Sequence, residues 1–297
     1  VSTLAIPADD AGVRALIRLA LTEDIGSGDL TTRATVARTT QARGRIVARE
    51  DMTVSGLALL DAVIEELMRL GDAGAGAGSL RVSERVGDGT RASAGSTLCV
   101  LDGDAWGVLT LERTILNFVG HLSGIASETA RVVGAVRAVG CNTRILDTRK
   151  TTPGWRRLEK YAVACGGGSN HRMGLFDAVL IKDNHIVAAG GIAEAVKAAL
   201  EKSPAGVRVE VECDTMGQVQ IALEAGATAL LLDNFTPAAV ADAVRFIAGR
   251  AEVEVSGGVN METVTAFAKA GPDSISLGRL THSARSADVS MEVTLLA

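Results

Sequence analysis

Between Ile145 and His185 the chain concentrates side chains that bind anions: Asp147-Thr148-Arg149-Lys150, then Gly166-Gly167-Gly168-Ser169-Asn170-His171-Arg172, then Lys182-Asp183-Asn184-His185. The first and last blocks follow apolar, strand-like runs, Ile145-Leu146 and Ala178-Val179-Leu180-Ile181. In an α/β barrel, polar residues at the carboxyl ends of the strands gather round one mouth, where active sites form. Arg149 and Arg172 offer planar forks suited to carboxylates, while Lys150 and Lys182 offer point charges suited to phosphate. The stretch reads as a pocket for a strongly anionic ligand. Each block also has a plainer use. Asp147 can pair with Arg149 in a solvated loop, three glycines can simply close a helix, and His185 reads as a structural hydrogen-bonding residue. Lys182, if desolvated, can instead act as an amine nucleophile.

Carboxylates and glycines mark the strand ends that follow. Glu210-Val211-Glu212 alternates, so both acids face one side, and Asp233 closes the run Leu230-Leu231-Leu232. Inside a barrel rim such acids need a metal, a sugar hydroxyl, a developing cation or an ion pair with Arg149 or Lys182. Ser256-Gly257-Gly258 and Leu277-Gly278 end the last two strand candidates. In barrels this region commonly holds a phosphate on backbone N–H groups and a helix N-terminus. His282 adds a phosphate contact or caps a turn.

The elements that position these residues are legible from periodicity. Strand signals near 144–148, 178–182, 207–212, 229–233, 252–256 and 274–278 alternate with helices, one opened by Pro153 and stopping at Gly166, one opened by Thr236-Pro237, one capped by Asn260. Six βα units in tandem imply a parallel sheet with right-handed crossovers. A barrel is favoured over a dinucleotide fold because no GxGxxG opens a first βα turn. Six strands fall short of eight, which predicts an incomplete barrel. Before it, helical stripes (Val13, Leu16, Ile17, Ala20, Leu21; then Leu57, Leu60, Ile64, Leu67, Met68) and short strands at 44–49 and 81–86 predict a smaller α/β domain. Gly71–Ser79 reads as a connection, 107–127 as a long helix joining the domains, and Val293–Leu296 as a strand returning to the first domain. The expected division is 1–117 with 283–297, and 118–282.

Composition narrows the classes. Hydrophobic residues make up 47% and aromatics only 3%, so the core is built from Ala, Val, Leu and Ile, as buried parallel strands require. A net charge of -5 argues against a nucleic-acid partner and makes the local cationic clusters more telling. The four cysteines form no CxxC pair, so reduced thiols in a cytoplasmic protein are expected, without a zinc knuckle. No basic-then-apolar leader opens the sequence and no apolar run approaches the roughly 20 residues that span a bilayer. A protein off the membrane and not exported is expected.

On these residues the chain resembles the quinolinate phosphoribosyltransferases, also called nicotinate-nucleotide pyrophosphorylases (carboxylating). The resemblance covers roughly residues 16–291. It is carried by Glu23-Asp24-Ile25-Gly26-Ser27-Gly28-Asp29-Leu30-Thr31-Thr32, Glu112-Arg113-Thr114-Ile115-Leu116-Asn117, the 147–185 blocks and Leu280-Thr281-His282-Ser283. Departures are Trp155 where Leu is usual, Cys213 where an aliphatic is common, and Arg279 where a small residue is usual.

The resemblance implies an amino-terminal α/β sandwich followed by an open, incomplete α/β barrel, working as a homodimer, with assembly beyond the dimer left open. It implies that Arg113 crosses to the partner's site, while Arg149, His171, Arg172 and Lys182 hold the two carboxylates of quinolinate. Lys150 would meet the pyrophosphate of phosphoribosyl pyrophosphate (PRPP). Glu212 and Asp233 would hold the ribose hydroxyls and Mg²⁺, and Ser256, Gly257, Gly258, Gly278 and His282 the 5′-phosphate. Lys150, Glu212 and Asp233 would carry the catalysis, with no organic cofactor. The implied activity, in NAD biosynthesis, is phosphoribosyl transfer to quinolinate with decarboxylation to nicotinate mononucleotide. The alternatives are a related transferase using another acid such as nicotinate, a Schiff-base aldolase using Lys150 or Lys182, and a non-catalytic phosphate-binding barrel. Three arginines and a lysine oversupply a monoacid, which favours the dicarboxylate.

Overall fold

The computed structural model describes residues 6–71 and 80–296; residues 72–79, nearly all of the expected connection, lie outside the described residues. In chain order the strands are β1 (Gln41–Ala48), β2 (Met52–Thr53), β3 (Arg81–Arg85), β4 (Arg91–Ala92), β5 (Thr97–Asp104), β6 (Arg144–Leu146), β7 (Val179–Ile181), β8 (Val209–Cys213), β9 (Ala229–Asp233), β10 (Glu252–Ser256), β11 (Ser274–Ser276) and β12 (Val289–Leu295). Packing groups them into two compact units. One runs up to Ala130 and takes in Thr151–Gly167 and the chain from Thr281 on; the other is Arg131–Lys150 with Gly168–Leu280. The domain division expected from sequence, 1–117 with 283–297 and 118–282, differs from this grouping by residues 118–130, 151–167 and 281–282, which group with the first unit.

The first unit is an α/β layer. Its sheet runs β12-β1-β5-β3, with β12 antiparallel along β1 from Ala42↔Leu295 to Ala48↔Val289. The expected C-terminal strand is thus present and starts earlier, at Val289. Helix Ala11–Ile25 is capped by Asp10, whose carboxylate accepts from the N–H groups of Gly12 and Val13. Its residues Val13, Ile17, Leu21 and Ile25 recur every fourth position and are buried. In the second stripe Leu57, Leu60, Ile64 and Leu67 are buried, but Met68 is exposed. The long helix is Ala105–Ala138, longer at both ends than sequence periodicity indicates.

The second unit is the open, incomplete α/β barrel. Its strands are all parallel, in the order β6-β11-β10-β9-β8-β7. Ser169 adds a single parallel bridge to the free side of Leu146 on β6. Among the described strands β7 pairs only with β8, so the sheet does not close on itself. Residues level with one another across a parallel sheet share a face. One face carries Ile145, Ile275, Val253, Val255, Leu230 and Leu232, all buried. The other carries the rows Glu212-Leu231-Glu254-Ser274-Arg144 and Asp233-Ser256. The same strands therefore bury aliphatics on one side and array acids, serines and a base on the other.

Apart from the long helix, the helix ends expected from sequence differ from those observed by about a turn at most. Thr236 accepts from the N–H of Ala239 and Pro237 opens the helix Pro237–Ile247. Trp155 rather than Pro153 immediately precedes Arg156–Cys165, because residues 152–155 form a turn first. Asn260 accepts from Glu262 and Thr263 N–H groups, organising the turn that leads into Val264–Lys269.

Candidate active site

Three short segments of the second unit bring the cationic blocks to the carboxyl ends of the strands. Asp147, directly after β6, is fully buried, and its carboxylate accepts the His171 backbone N–H at 2.9 Å. Its own N–H reaches Ser169 O at 3.2 Å, and Ser169 N–H reaches Ile145 O at 2.8 Å. The glycine block is thereby tied along β6, which sets Arg149 and Arg172 on neighbouring loops. Asp177 then turns the chain after Arg172 by accepting from Met173 and Gly174 N–H groups, at 2.6 and 2.9 Å.

The electrostatics are those of an anion well. Arg172 donates to the Ala178 carbonyl at 3.2 Å and, among the described residues, forms no salt bridge. Its guanidinium is held below the usual arginine range, first by burial and then by the positive charge of Arg149, against the pull of Asp177 and Glu210. Two like charges that act on each other are a cost to the fold. Lys150 is exposed, with its N–H on Thr148 Oγ1 at 3.0 Å. Lys182 pairs with Glu212, which realises the ion pair that sequence left open for this carboxylate. The Lys182 N–H donates to His185 Nδ1 at 3.0 Å, so His185 serves the start of helix Asp183–Ala189, as its structural reading requires.

Asp233 ends β9 on the same face as Glu212, and Asn234 Nδ2 donates to it at 2.7 Å. Level with Asp233 lies Ser256, and the chain then enters Gly257 and Gly258, both at positive φ (86° and 64°). A Cβ on Gly257 would stand 2.8 Å from the Asn234 backbone nitrogen, so the two loops can approach only because this position is glycine. Gly278 leads into the short helix Arg279–His282.

Behind the mouth sits a cluster that sequence reading did not assemble. His171 Nε2 lies 3.2 Å from Glu210 Oε2 and 3.5 Å from Glu254 Oε1, and both acids are buried. Burial pushes the Glu254 carboxyl up to about 7, and the neighbouring Glu210 charge adds to it. Burial also acts upward on Glu210, but hydrogen bonds and charge from His171 and Arg208 outweigh it and hold that carboxyl below its usual range. Glu254 was not singled out in the sequence. The available signal was Glu252-Val253-Glu254, an alternation that repeats Glu210-Val211-Glu212 two strands away.

Two expected site residues belong to the first unit. Arg113 is exposed on the long helix and lines a cavity of about 540 Å³ with Asn117, His121, Thr152, Trp155 and Ser286–Val289. Trp155 stacks on Phe118, with centroids 4.8 Å apart, and His121 meets it edge-on. His121 Nε2 and Thr152 N–H, at 3.0 and 3.1 Å, both engage the buried carboxylate of Glu159. His282 is exposed with its Nδ1 at 2.6 Å from Ser283 Oγ.

An open parallel barrel whose strand ends present cationic side chains beside carboxylates and glycine turns defines an α/β-barrel protein with a candidate site for anionic ligands. Comparison with known proteins is more specific. The quinolinate phosphoribosyl transferase N-terminal domain matches residues 29–123 and its C-terminal domain residues 125–292. Nicotinate-nucleotide pyrophosphorylase (carboxylating) of Mycobacterium leprae is 41% identical over 284 residues, covering 94% of this chain and 96% of the relative. The Bacillus subtilis protein named probable nicotinate-nucleotide pyrophosphorylase (carboxylating) is 41% identical over 274 residues, 92% of this chain and 90% of its own. The structure of the nicotinate-nucleotide pyrophosphorylase from Francisella tularensis superposes with a TM-score of 0.87 at 37% identity, covering 98% of each chain. The chain belongs to the quinolinate phosphoribosyltransferase family.

Proposed function

We propose that this enzyme transfers the phosphoribosyl group of PRPP to quinolinate and releases CO₂, giving nicotinate mononucleotide and pyrophosphate, a step of NAD biosynthesis. The observation that carries the reading is the pair Arg149 and Arg172, whose like charges act on each other at the mouth of a family-matched barrel. That field suits a substrate with two carboxylates better than the monoacid nicotinate. Arg149, Arg172 and Lys182 bind the diacid; His171, expected to join them, has its Nδ1 on the Arg172 N–H and its Nε2 beside Glu210, and so acts on the loop that carries Arg172. Lys150 meets the departing pyrophosphate, and Ser256, Gly257, Gly258, Gly278 and His282 receive the 5′-phosphate.

In the first step the pyridine nitrogen forms a bond to C1 of the ribose as the C1–O bond to pyrophosphate breaks. Positive charge grows on the ribose ring, and Glu212 and Asp233 stabilise it more than they stabilise the neutral sugar, which lowers the barrier. In the second step the C2–carboxylate bond breaks, its electron pair drawn toward the now cationic ring nitrogen, and a proton from solvent replaces CO₂. No organic cofactor enters. Glu212 and Asp233, hard oxygen donors on adjacent strands of one face, would hold the Mg²⁺ that accompanies PRPP. The ion would neutralise the pyrophosphate charge.

The working form proposed is a cytoplasmic homodimer in which Arg113 reaches the partner's site. Quinolinate-dependent PRPP consumption with stoichiometric CO₂ tests the activity; turnover of nicotinate without CO₂ would replace it with the monoacid reading. Mixing equal amounts of inactive Arg113→Ala and Arg149→Ala chains should restore about a quarter of wild-type sites if dimers exchange at random. No recovery, with heterodimers demonstrated, would return Arg113 to its own chain.

A further inference from the structure

The carboxylate of Glu159, on helix Arg156–Cys165, is completely buried. Its oxygens are divided between two partners: Oε1 lies 3.0 Å from His121 Nε2 on the long helix, and Oε2 accepts the Thr152 backbone N–H at 3.1 Å. A carboxylate taken out of water persists only where its oxygens are hydrogen-bonded, so both partners are what the burial requires. Trp155 closes the cluster, stacked on Phe118 and meeting His121 edge-on with centroids 5.1 Å apart. His121, packed in this way, keeps the carboxylate from turning away from Thr152. All of these residues belong to the first unit.

The chain reaches Thr152 two residues after Lys150 and three after Arg149. At the start of this loop Asp147, also fully buried, accepts the His171 N–H at 2.9 Å. At its end Glu159 takes the Thr152 N–H, and Arg156 Nε donates to Thr151 Oγ1 at 3.0 Å. Each end of the span that carries the two cations is thus fastened to a buried carboxylate. With only residues 148–151 between the fastenings, a shift at Thr152 passes along the backbone to Lys150.

We propose that Glu159 is a positioning residue for the pyrophosphate end of the site: by accepting the Thr152 N–H it fixes the backbone that presents Lys150, and His121 holds the carboxylate in place. Being fully buried, Glu159 touches no substrate and acts through Lys150. That consequence rests on the proposed function, which sets Lys150 on the pyrophosphate; the fastening of the loop does not.

Two measurements on the full chain separate these. Hydrogen exchange over residues 148–155, followed by mass spectrometry without ligand, should be about tenfold faster in Glu159→Ala than in wild type, with β8 to β10 unchanged. Unaltered exchange there, or acceleration throughout the chain, overturns the anchoring. Inorganic pyrophosphate, titrated calorimetrically, should bind about tenfold more weakly to Glu159→Ala and to Lys150→Ala alike. The dissociation constant for quinolinate should stay within about threefold in Glu159→Ala, because Arg172 and Lys182 lie on other loops. The double variant should bind pyrophosphate no more weakly than Lys150→Ala, since a charge already removed cannot be misplaced. A loss of roughly a hundredfold in the double variant, the product of independent effects, overturns the action through Lys150. Glu159→Gln keeps the side-chain length, its oxygen accepting from Thr152 and its amide donating to His121 Nε2, and should restore both readouts; a Gln variant no better than Ala overturns the proposal. Should the alanine chain fail to fold, Glu159→Asp, one methylene too short to span both partners, carries the same comparison. Wild-type protein that binds no pyrophosphate would overturn the role of Lys150 in the proposed function, and the exchange result alone would then decide the anchoring.

Discussion

The two ends of the parallel strands in the second unit are both rich in arginine, and the arginines are wired in opposite ways. At the amino end Arg208 bridges Glu210 at 2.8 Å and Glu252 at 2.6 Å, and Arg144 meets the same Glu252. Burial lowers the Arg208 pKa, but these carboxylates outweigh it and hold the guanidinium above its usual range. At the carboxyl end Arg172 shifts the other way, by burial and then by Arg149. Arg208 is structural, because carboxylates of the sheet supply its counter-charges, whereas Arg172 forms no salt bridge among the described residues and is the ligand-binding arginine of the proposed function.

The sharpest way to break this contrast is to remove one arginine from each end. Arg172→Ala should lower kcat/KM for quinolinate about a thousandfold, near 4 kcal/mol of transition-state binding, as measured by steady-state kinetics. Its melting temperature should hold or rise, because a desolvated cation beside another cation has gone. A large thermal loss with only a tenfold kinetic loss would mean that the mouth is wired like the base.

The pH dependence of stability sharpens the comparison at its midpoint, where Glu210 and Glu254 separate the two ends. Glu254 is raised in the folded state, from an ordinary value of 4.5 to about 7. Its contribution is therefore fully present below pH 4.5 and is lost as pH rises toward 7, by at most about 3 kcal/mol. Glu210 is shifted downward, so its contribution is lost only as pH falls below its usual carboxylate range, and the two limbs do not overlap. Urea unfolding at pH 5 and pH 8 should show the decline in wild type and lose it in Glu254→Gln. An undiminished decline in the variant would assign the titration to another group.

Arg208→Ala is the counterpart at the base. It leaves Glu210 and Glu252 short of a partner and should cost about 2 kcal/mol in urea unfolding, a figure kept low because the Arg208 side chain is 38% exposed. KM for quinolinate should change less than about threefold. A larger catalytic loss would show that the base reaches the mouth through Glu210.

Much of this was legible in the sequence, for a reason that particular residues make plain. β9 and β10 follow their predicted limits, because Leu230-Leu231-Leu232 and the alternation from Glu252 are bounded by Asp233 and Gly257, which end strands chemically. β6 and β7 are shorter than the apolar runs suggest, because the chain is diverted early: Asp147 is spent on His171 N–H and Lys182 on the entry to a helix. The cationic mouth was readable because its members sit within about forty residues of chain. The Glu210, Glu254 and His171 cluster was not, because its residues come from separate strands and a loop, and only sheet register shows that Glu254 and Glu212 share a row.

Salt gives the smallest effect and the finest comparison. The Debye length falls from roughly 14 Å at 0.05 M to roughly 4 Å at 0.5 M, so attraction between an approaching dianion and mouth cations should weaken over that range. Lys150 is exposed and Arg172 only partly buried, so the mouth is open to that screening. KM for quinolinate should rise about fivefold with KCl. The base differs because its charges are already matched at 2.6–2.8 Å, a separation far inside either Debye length. Urea midpoints should therefore stay nearly level across the same series. A monoanion presents one charge to the same field, so its inhibition constant should climb with about half the logarithmic slope. Equal slopes for nicotinate and quinolinate would mean that only one carboxylate meets the arginine pair, and the mouth would then be matched to a single acid.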